Sequence, residues 1–172
     1  VKGFAGAVFF NHIRHFHIKS FYRCKAAFAL EALAATAQFT VSGLVLVTAI
    51  FGRVTTSITV ANTVKLQANP TVGTTGDLCA ATDLGTTDTL AGALLSLTGA
   101  PAEGIIQGVG TVPLFPVTEA QPTAVTATQT GGGRGLLVNG GTIESVVTGT
   151  AMDGVVQWFV AYVPIDAGAT VA

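Results

Sequence analysis

The feature that most constrains the fold of this chain is the alternation of short apolar runs with turn residues, which continues from Phe39 to the C terminus. Thr, Val and Gly dominate this stretch. Branched residues favour strands, and Gly and Pro mark turns. Many short strands separated by turns are typical of sandwiches and barrels. The sequence therefore predicts a mainly β domain over residues 39–172, an antiparallel β-sandwich of jelly-roll-like type.

The apolar runs also locate individual strands. The clearest run is 155–163, which is apolar on both faces and therefore suits a central position in a sheet. Asn139-Gly140-Gly141 and Met152-Asp153-Gly154 are hairpin-type turns, so the last three strands are predicted to form a meander of adjacent antiparallel strands. The predicted strands are 44–51, 54–60, 63–68, 94–98, 105–108, 136–139, 142–148 and 155–163.

Residues 1–38 differ in composition from the rest of the chain. Residues 20–38 are rich in Ala, Leu, Phe, Glu and Lys and lack Gly and Pro, which predicts a short helix. No acid occurs before Glu31, so the N terminus is a basic arm and the remainder is mildly acidic. We therefore divide the chain into an arm with a helix, 1–38, and a β-domain, 39–172. The basic residues of the arm are Lys2, Arg14, Lys19, Arg23 and Lys25.

The chain is poor in charge for a soluble protein. Charged residues make up 10% and hydrophobic residues 49%, whereas an average domain is about 25% charged. Part of the surface is therefore expected to be covered. The apolar stretch 39–54 is shorter than the roughly 20 residues of a spanning helix, so no membrane partner is predicted. The arm is too sparse in charge to predict nucleic-acid binding, which leaves protein subunits as the expected partners.

The sequence offers little catalytic chemistry. No histidine occurs from Gln38 onward, which excludes Ser-His and Cys-His catalysis in the β-domain. Asp153 and Asp166 form a carboxylate pair that a glycosidase would need, but both lie in turn or tail segments. Trp158 and Tyr162 are four residues apart on one face of the last strand, where core packing is the ordinary outcome and a sugar-stacking platform the alternative. We predict that the protein is not an enzyme.

Candidate metal ligands are also weak. His12, His15 and His17 lack carboxylate or cysteine partners. The aspartates between residues 77 and 88 do not have the spacing of a calcium-binding loop. Two cysteines, in no Cys-x-x-Cys pair, are expected to be buried thiols, with a single bridge as the alternative. No metal and no cofactor are predicted. The aspartates are Asp77, Asp83 and Asp88, and the cysteines are Cys24 and Cys79.

The C-terminal pattern Val156-x-Trp158-x-x-x-Tyr162-x-Pro164-x-Asp166-x-Gly-Ala, preceded by Gly141-Thr-Ile, resembles small head-decoration (cement) proteins of tailed bacteriophages. Segments 39–52, 65–71 and 77–79 fit the same pattern. The resemblance implies a structural protein at the capsid surface that binds the major capsid protein and copies of itself, as a dimer or trimer. Under this hypothesis the helix, the last strand and the tail make the contacts. The candidate interface residues are Phe28, Leu30, Leu33, Trp158, Tyr162, Pro164 and Ile165.

A second hypothesis is a secreted or cell-surface β-sandwich module of the adhesion or pilus type. Residues 23–37 have basic residues followed by an apolar run and an Ala-x-Ala site that ends at Ala37, as in a secretory signal. Glu31 lies within the apolar run, which weakens that interpretation. This hypothesis predicts a mature N terminus at Gln38.

Overall fold

The computed structural model describes residues 21–24, 28–29, 35–97, 99, 101–108, 135–148 and 153–172. The regular structure of these residues is entirely β-strand, which confirms the mainly β prediction. The strands are β1 (Phe21–Cys24), β2 (Phe28–Ala29), β3 (Ala35–Ser42), β4 (Val45–Thr56), β5 (Thr63–Pro70), β6 (Gly76–Asp77), β7 (Thr82–Asp83), β8 (Leu94–Ser96), β9 (Ile106–Gln107), β10 (Leu136–Val138), β11 (Gly141–Thr148), β12 (Val155–Pro164) and β13 (Thr170–Val171).

The strands of the described residues form two antiparallel sheets. Sheet A has the order β1-β12-β4-β8-β9, with β2 also paired to β12 and β10 also paired to β4. Sheet B has the order β13-β3-β11-β5-β6, with β7 also paired to β5. Both sheets contribute to one hydrophobic core, an arrangement consistent with a sandwich.

Alternation along the long strands builds this core. In β12, Val156, Trp158 and Val160 are buried, while the residues between them are only partly buried. The Trp158 ring lies over Gly52 of β4, where an added Cβ would sit 3.0 Å from the ring. Gly52 therefore makes room for the largest side chain of the core. Sheet B faces it with residues that include Phe39, Val64, Leu66, Ile143 and Val147.

The helix predicted over residues 20–38 is wrong wherever those residues are described. Phe21–Cys24 and Phe28–Ala29 pair with β12, and β3 begins at Ala35. The Phe21 ring stacks on Tyr162 at 5.8 Å, and Arg23 donates from Nε to the Val171 carbonyl at 2.9 Å. The edge of β12 offers hydrogen bonds and an aromatic contact, which outweigh a helix propensity of tenths of a kcal/mol per residue. The proposed domain boundary at residue 38 falls within β3.

The predicted meander at the C terminus is also wrong, although its strands are where the sequence places them. β10 pairs with β4 in sheet A, β11 lies between β3 and β5 in sheet B, and β12 returns to sheet A. The Asn139-Gly140-Gly141 turn thus carries the chain across the core. At Gly141 φ is +153°, and a Cβ would lie 2.3 Å from the Asn69 carbonyl oxygen. This glycine is required by the crossing of the chain between the sheets.

Candidate interaction surface

Most of the large apolar side chains that remain exposed in the described residues lie at one end of the two sheets. This is the end at which β4 begins and β12 ends. Val72 is 81% exposed and Leu137 is 61% exposed. Val72 belongs to this end because the Thr71 amide donates to the Gly140 carbonyl, next to β10. We define the apolar end by its exposed residues Phe21, Val72, Leu136, Leu137 and Ile165.

Strand pairing aligns these residues across sheet A. Phe21 is paired with Tyr162, which is paired with Val47, and Val47 is paired with Leu136. The next row continues from Val163 through Leu46 to Leu137. Tyr162 and Val47 of the first row are buried in the core, whereas the second row lies on the opposite, outer face of sheet A.

Hydrogen bonds fix the tail against the turn between β3 and β4. The amides of Ile165 and Asp166 donate to the Leu44 carbonyl at 3.0 and 3.2 Å. The Asp166 carboxylate in turn accepts from the Leu44 amide at 2.8 Å. These bonds hold Ile165, which is 51% exposed, on an ordered turn. Its apolar side chain is thus presented by a defined backbone.

An open groove of about 300 Å³ lies at the apolar end, between β10 and the chain that follows β5. Its lining is mainly apolar, and Asn139 and Asp77 supply carboxamide and carboxylate groups. Asp77 forms a salt bridge with Lys65 at 2.7 Å, so its charge is locally balanced. β10 pairs with β4 alone in the described part of the chain. The apolar lining residues are Ala68, Pro70, Val72, Leu78, Leu136, Leu137 and Val138.

The opposite end of the sheets is acidic. Asp83, Asp88 and Asp153 are exposed there, and segments 57–62, 83–91 and 153–154 contain no Lys or Arg. Hydrogen bonds from the Thr86 side chain and from the amides of Thr86 and Gly85 lower the pKa of Asp83 to about 2. Bonds from the Thr59 side chain and amide lower the pKa of Asp153. Both carboxylates are therefore charged at neutral pH, so the described residues place apolar side chains at one end of the sheets and negative charge at the other.

The outer faces of the two sheets also differ in polarity. Phe159 alternates with the core residues of β12 and therefore points to the outer face of sheet A. It stacks on Phe51 of β4, with ring centroids 5.0 Å apart. On sheet B, the Glu144 carboxylate accepts hydrogen bonds from Gln67, Asn69 and Thr142 at 2.8, 2.9 and 2.7 Å. Sheet A thus extends the apolar end, whereas sheet B presents a polar network.

We expect the Glu144→Gln variant to lose about 1–2 kcal/mol of unfolding free energy at neutral pH, because an amide group would meet donors where the carboxylate accepts. Burial raises the pKa of Glu144, but the hydrogen bonds from Thr142, Asn69 and Gln67 lower it by more. A carboxyl with a depressed folded pKa stabilises the fold above its unfolded pKa of about 4.3, and this contribution is lost as the pH falls through the folded value.

The measurement is urea unfolding of the wild type and the variant at neutral and strongly acidic pH. The difference between them should shrink in acid, where Glu144 becomes protonated. Asp77→Asn is the control, because an exposed salt bridge contributes less than about 1 kcal/mol. A Glu144→Gln effect no larger than that of the control would show that the network does not stabilise the sheet.

The structure separates the candidate interface residues into groups. Trp158 and Tyr162 are 1% and 2% exposed, so they are core residues and not contact residues of the folded surface. Pro164 is partly buried, and Ile165 belongs to the apolar end. Phe28 lies in β2 with Val156 as its Cα partner. Leu30 and Leu33 lie outside the described residues.

Sequence reasoning missed the contribution of β10 and of the chain after β5 to the apolar end. The sequence pattern places Leu136 and Leu137 in the predicted strand 136–139 and assigns them no surface role. A sequence signal was present, since both neighbours in an alternating strand should not be apolar unless both faces are covered. The sequence around Val72 does not indicate a surface site, because a lone apolar residue in a loop is ordinary.

Within the described segments, the carboxylate pair and the metal ligands considered from the sequence are not brought together. Asp153 and Asp166 flank the ten residues of β12, which span about 33 Å. Glycosidase carboxylates lie within about 10 Å of each other, so this pair is excluded. No group of three or more His, Cys, Asp or Glu in the described segments is placed to hold a metal. His12, His15 and His17 lie outside those segments.

Cys79 is a buried free thiol, and burial raises its pKa. Its sulfur accepts a hydrogen bond from the Leu66 amide of β5 at 3.2 Å, and it is a residue of the shared core. This agrees with the prediction of a buried thiol at this position. No helix among the described residues is long and apolar enough to cross a membrane.

Comparison of the chain with protein-family models, with curated proteins and with solved structures finds no match in any of the three. Function is therefore inferred from the surface of the molecule itself. The surface feature that stands out is the contrast between the apolar end and the acidic end.

Proposed function

We propose that this protein is a structural, non-enzymatic virion subunit that decorates and stabilises the outside of a tailed-phage capsid. The observation that carries the proposal is the concentration of exposed apolar side chains at one end, with Val72, Leu137 and Ile165 each more than half exposed. The resemblance of the C-terminal pattern to cement proteins supports the same function. Under this proposal, the two sheets form a jelly-roll-like sandwich.

Elementary energetics favours a covered apolar end. Burying apolar surface contributes about 25 cal/mol per Å², and a folded subunit gains that contribution only when a partner covers the surface. Interface centres are apolar and depleted in charge, while their rims are polar. The apolar end, with Asn139 and Asp166 at its margin, has this composition. The acidic end then faces solvent, where its charge keeps assembled particles apart.

The partners in this proposal are the major capsid protein and further copies of the subunit. The apolar end docks on the capsid protein. The outer face of sheet A, with the stacked Phe51 and Phe159, is continuous with it and suits contact between copies in a dimer or trimer. Neither nucleic acid nor a membrane is a partner, and the protein is located on the capsid surface.

The first test is cosedimentation of the full chain with assembled tailed-phage heads that lack decoration protein. We expect binding that persists at high salt, because apolar contacts are not screened. A second chain lacks residues 1–20, which leaves every described strand in place, whereas removal of residues 1–38 would also remove β1, β2 and half of β3. The shorter chain should bind more weakly but measurably, since the apolar end is intact.

Absence of binding by the full chain would contradict the proposal and favour a secreted or cell-surface module. That module requires a mature N terminus at Gln38. Cleavage there would remove residues 35–37, which pair with Val146, Ser145 and Glu144 of β11. N-terminal sequencing of the native protein therefore separates the two functions.

A further inference from the structure

The turn that joins the two sheets has an unusual chemical feature. Asn139 is exposed, follows β10 directly and lines the groove of the apolar end. The Gly140 amide donates a hydrogen bond to the Asn139 side-chain oxygen, Oδ1, at 2.9 Å. Because Oδ1 is bonded to Cγ, this bond also holds the Gly140 nitrogen beside the carbonyl carbon of the Asn139 side chain.

We propose that Asn139 is a site of spontaneous deamidation. The Gly140 backbone nitrogen attacks Cγ of Asn139 and forms a new N–C bond. The amide proton of Gly140 leaves with the side-chain NH2 group as ammonia, and a cyclic imide results. Water then opens the imide at either carbonyl and gives aspartate or isoaspartate. The reaction requires only water, and holding the two reacting atoms together accelerates it.

Two other asparagines show why the site is specific. The Thr63 amide donates to Asn62 Oδ1 at 3.0 Å, the same contact as at Asn139. However, Asn62 is 6% exposed and is followed by a branched residue at the start of β5. Asn69 precedes Pro70, whose nitrogen carries no proton to lose. Exposure and a following glycine thus coincide at Asn139 alone among the described asparagines.

The modification would change the apolar end directly. It places a carboxylate beside Leu137 and Val138, in a groove whose lining is mainly apolar. Isoaspartate additionally inserts one carbon into the backbone between Asn139 and Gly140, one residue before the tightly packed Gly141. We infer that aged subunits lose the ability to dock. This consequence rests on the proposed function, whereas the deamidation itself does not.

The test is incubation of the full-length protein at physiological temperature and mildly alkaline pH, followed by peptide mapping with mass spectrometry. We expect the mass change of an amide-to-carboxyl exchange at Asn139, with isoaspartate as one product, at a rate at least roughly tenfold that at Asn62 or Asn69. The Gly140→Ala variant is the matched control. An added Cβ there meets nothing closer than 3.5 Å, so the variant should fold. The methyl group on Cα should hinder attack by the backbone nitrogen, and deamidation should therefore be slower.

Equal rates at Asn139 and Asn62, or no slowing in the Gly140→Ala variant, would overturn the assignment. The docking consequence has its own measurement, cosedimentation of the Asn139→Asp variant with phage heads. Reduced binding of this variant relative to the wild type supports the coupling, and unchanged binding overturns it. If the wild type itself does not bind, the proposed function fails while the mass spectra still decide the deamidation.

Discussion

Under the proposed function, Leu137→Asp should lower the affinity for assembled phage heads at least roughly a hundredfold, whereas Leu90→Asp should leave it unchanged. The two leucines are 61% and 57% exposed but lie at opposite ends of the sheets. Burial of a leucine at an interface contributes about 1.5–3 kcal/mol. A buried carboxylate adds a desolvation penalty to that loss, and about 2.8 kcal/mol corresponds to a hundredfold change in dissociation constant.

Cosedimentation over a range of protein concentrations measures this difference. Thermal unfolding of both variants provides the control for folding. Substitutions at such exposed positions shift stability by about 0.5 kcal/mol or less, so both variants should have nearly the same unfolding temperature as the wild type. Equal loss of binding in the two variants would show that docking does not depend on the apolar end. Ile165→Asp provides a second, independent substitution on the same surface.

Gly141→Ala should destabilise the protein by about 3 kcal/mol or more, whereas Gly140→Ala should have an effect below about 1 kcal/mol. Gly141 has φ +153°, and an added Cβ would lie 2.3 Å from the Asn69 carbonyl oxygen and 2.6 Å from Pro70 Cα. Both obstacles are backbone atoms of β5, which cannot rotate away. At Gly140 the nearest atoms lie at 3.5 Å, an ordinary contact distance.

Chemical denaturation followed by the fluorescence of Trp158 measures both variants, because this residue is buried in the shared core. The pairing of Gly141 with Pro70 of β5 and Val41 of β3 is the structural basis of the expected loss. Equal midpoints for Gly141→Ala and the wild type would mean that the chain does not cross between the sheets as described. A large loss of stability in Gly140→Ala would contradict the argument that Gly141, and not Gly140, lies too close to neighbouring backbone to carry a side chain.

The candidate surface was only partly predictable from the sequence. Ile165, a predicted contact residue, follows β12 and is exposed at the apolar end, and its contact with a partner stays a prediction. Trp158 and Tyr162 were assigned to the same interface, but their period along β12 is that of the core face. Val72 and Leu137 are separated by more than sixty positions in the sequence. They share a surface only because β5 and β10 meet at one end of the two sheets.

The positions of the later strands are a property of the sequence by itself, whereas the residues of β1 to β3 favour a helix and the predicted strands 44–51 and 54–60 are replaced by the single strand β4. Alternation of side chains and the turn residues between apolar runs are local, so β5, β11 and β12 lie within two residues of their predicted bounds. The partners of those strands were decided by tertiary structure. A turn such as Asn139-Gly140-Gly141 permits either a hairpin or a crossing, and contact of Gly141 with the backbone of β5 selects the crossing. Similarly, the helix propensity of residues 20–38 gave way to the free edge of β12, because pairing energy from distant residues exceeds a weak local preference.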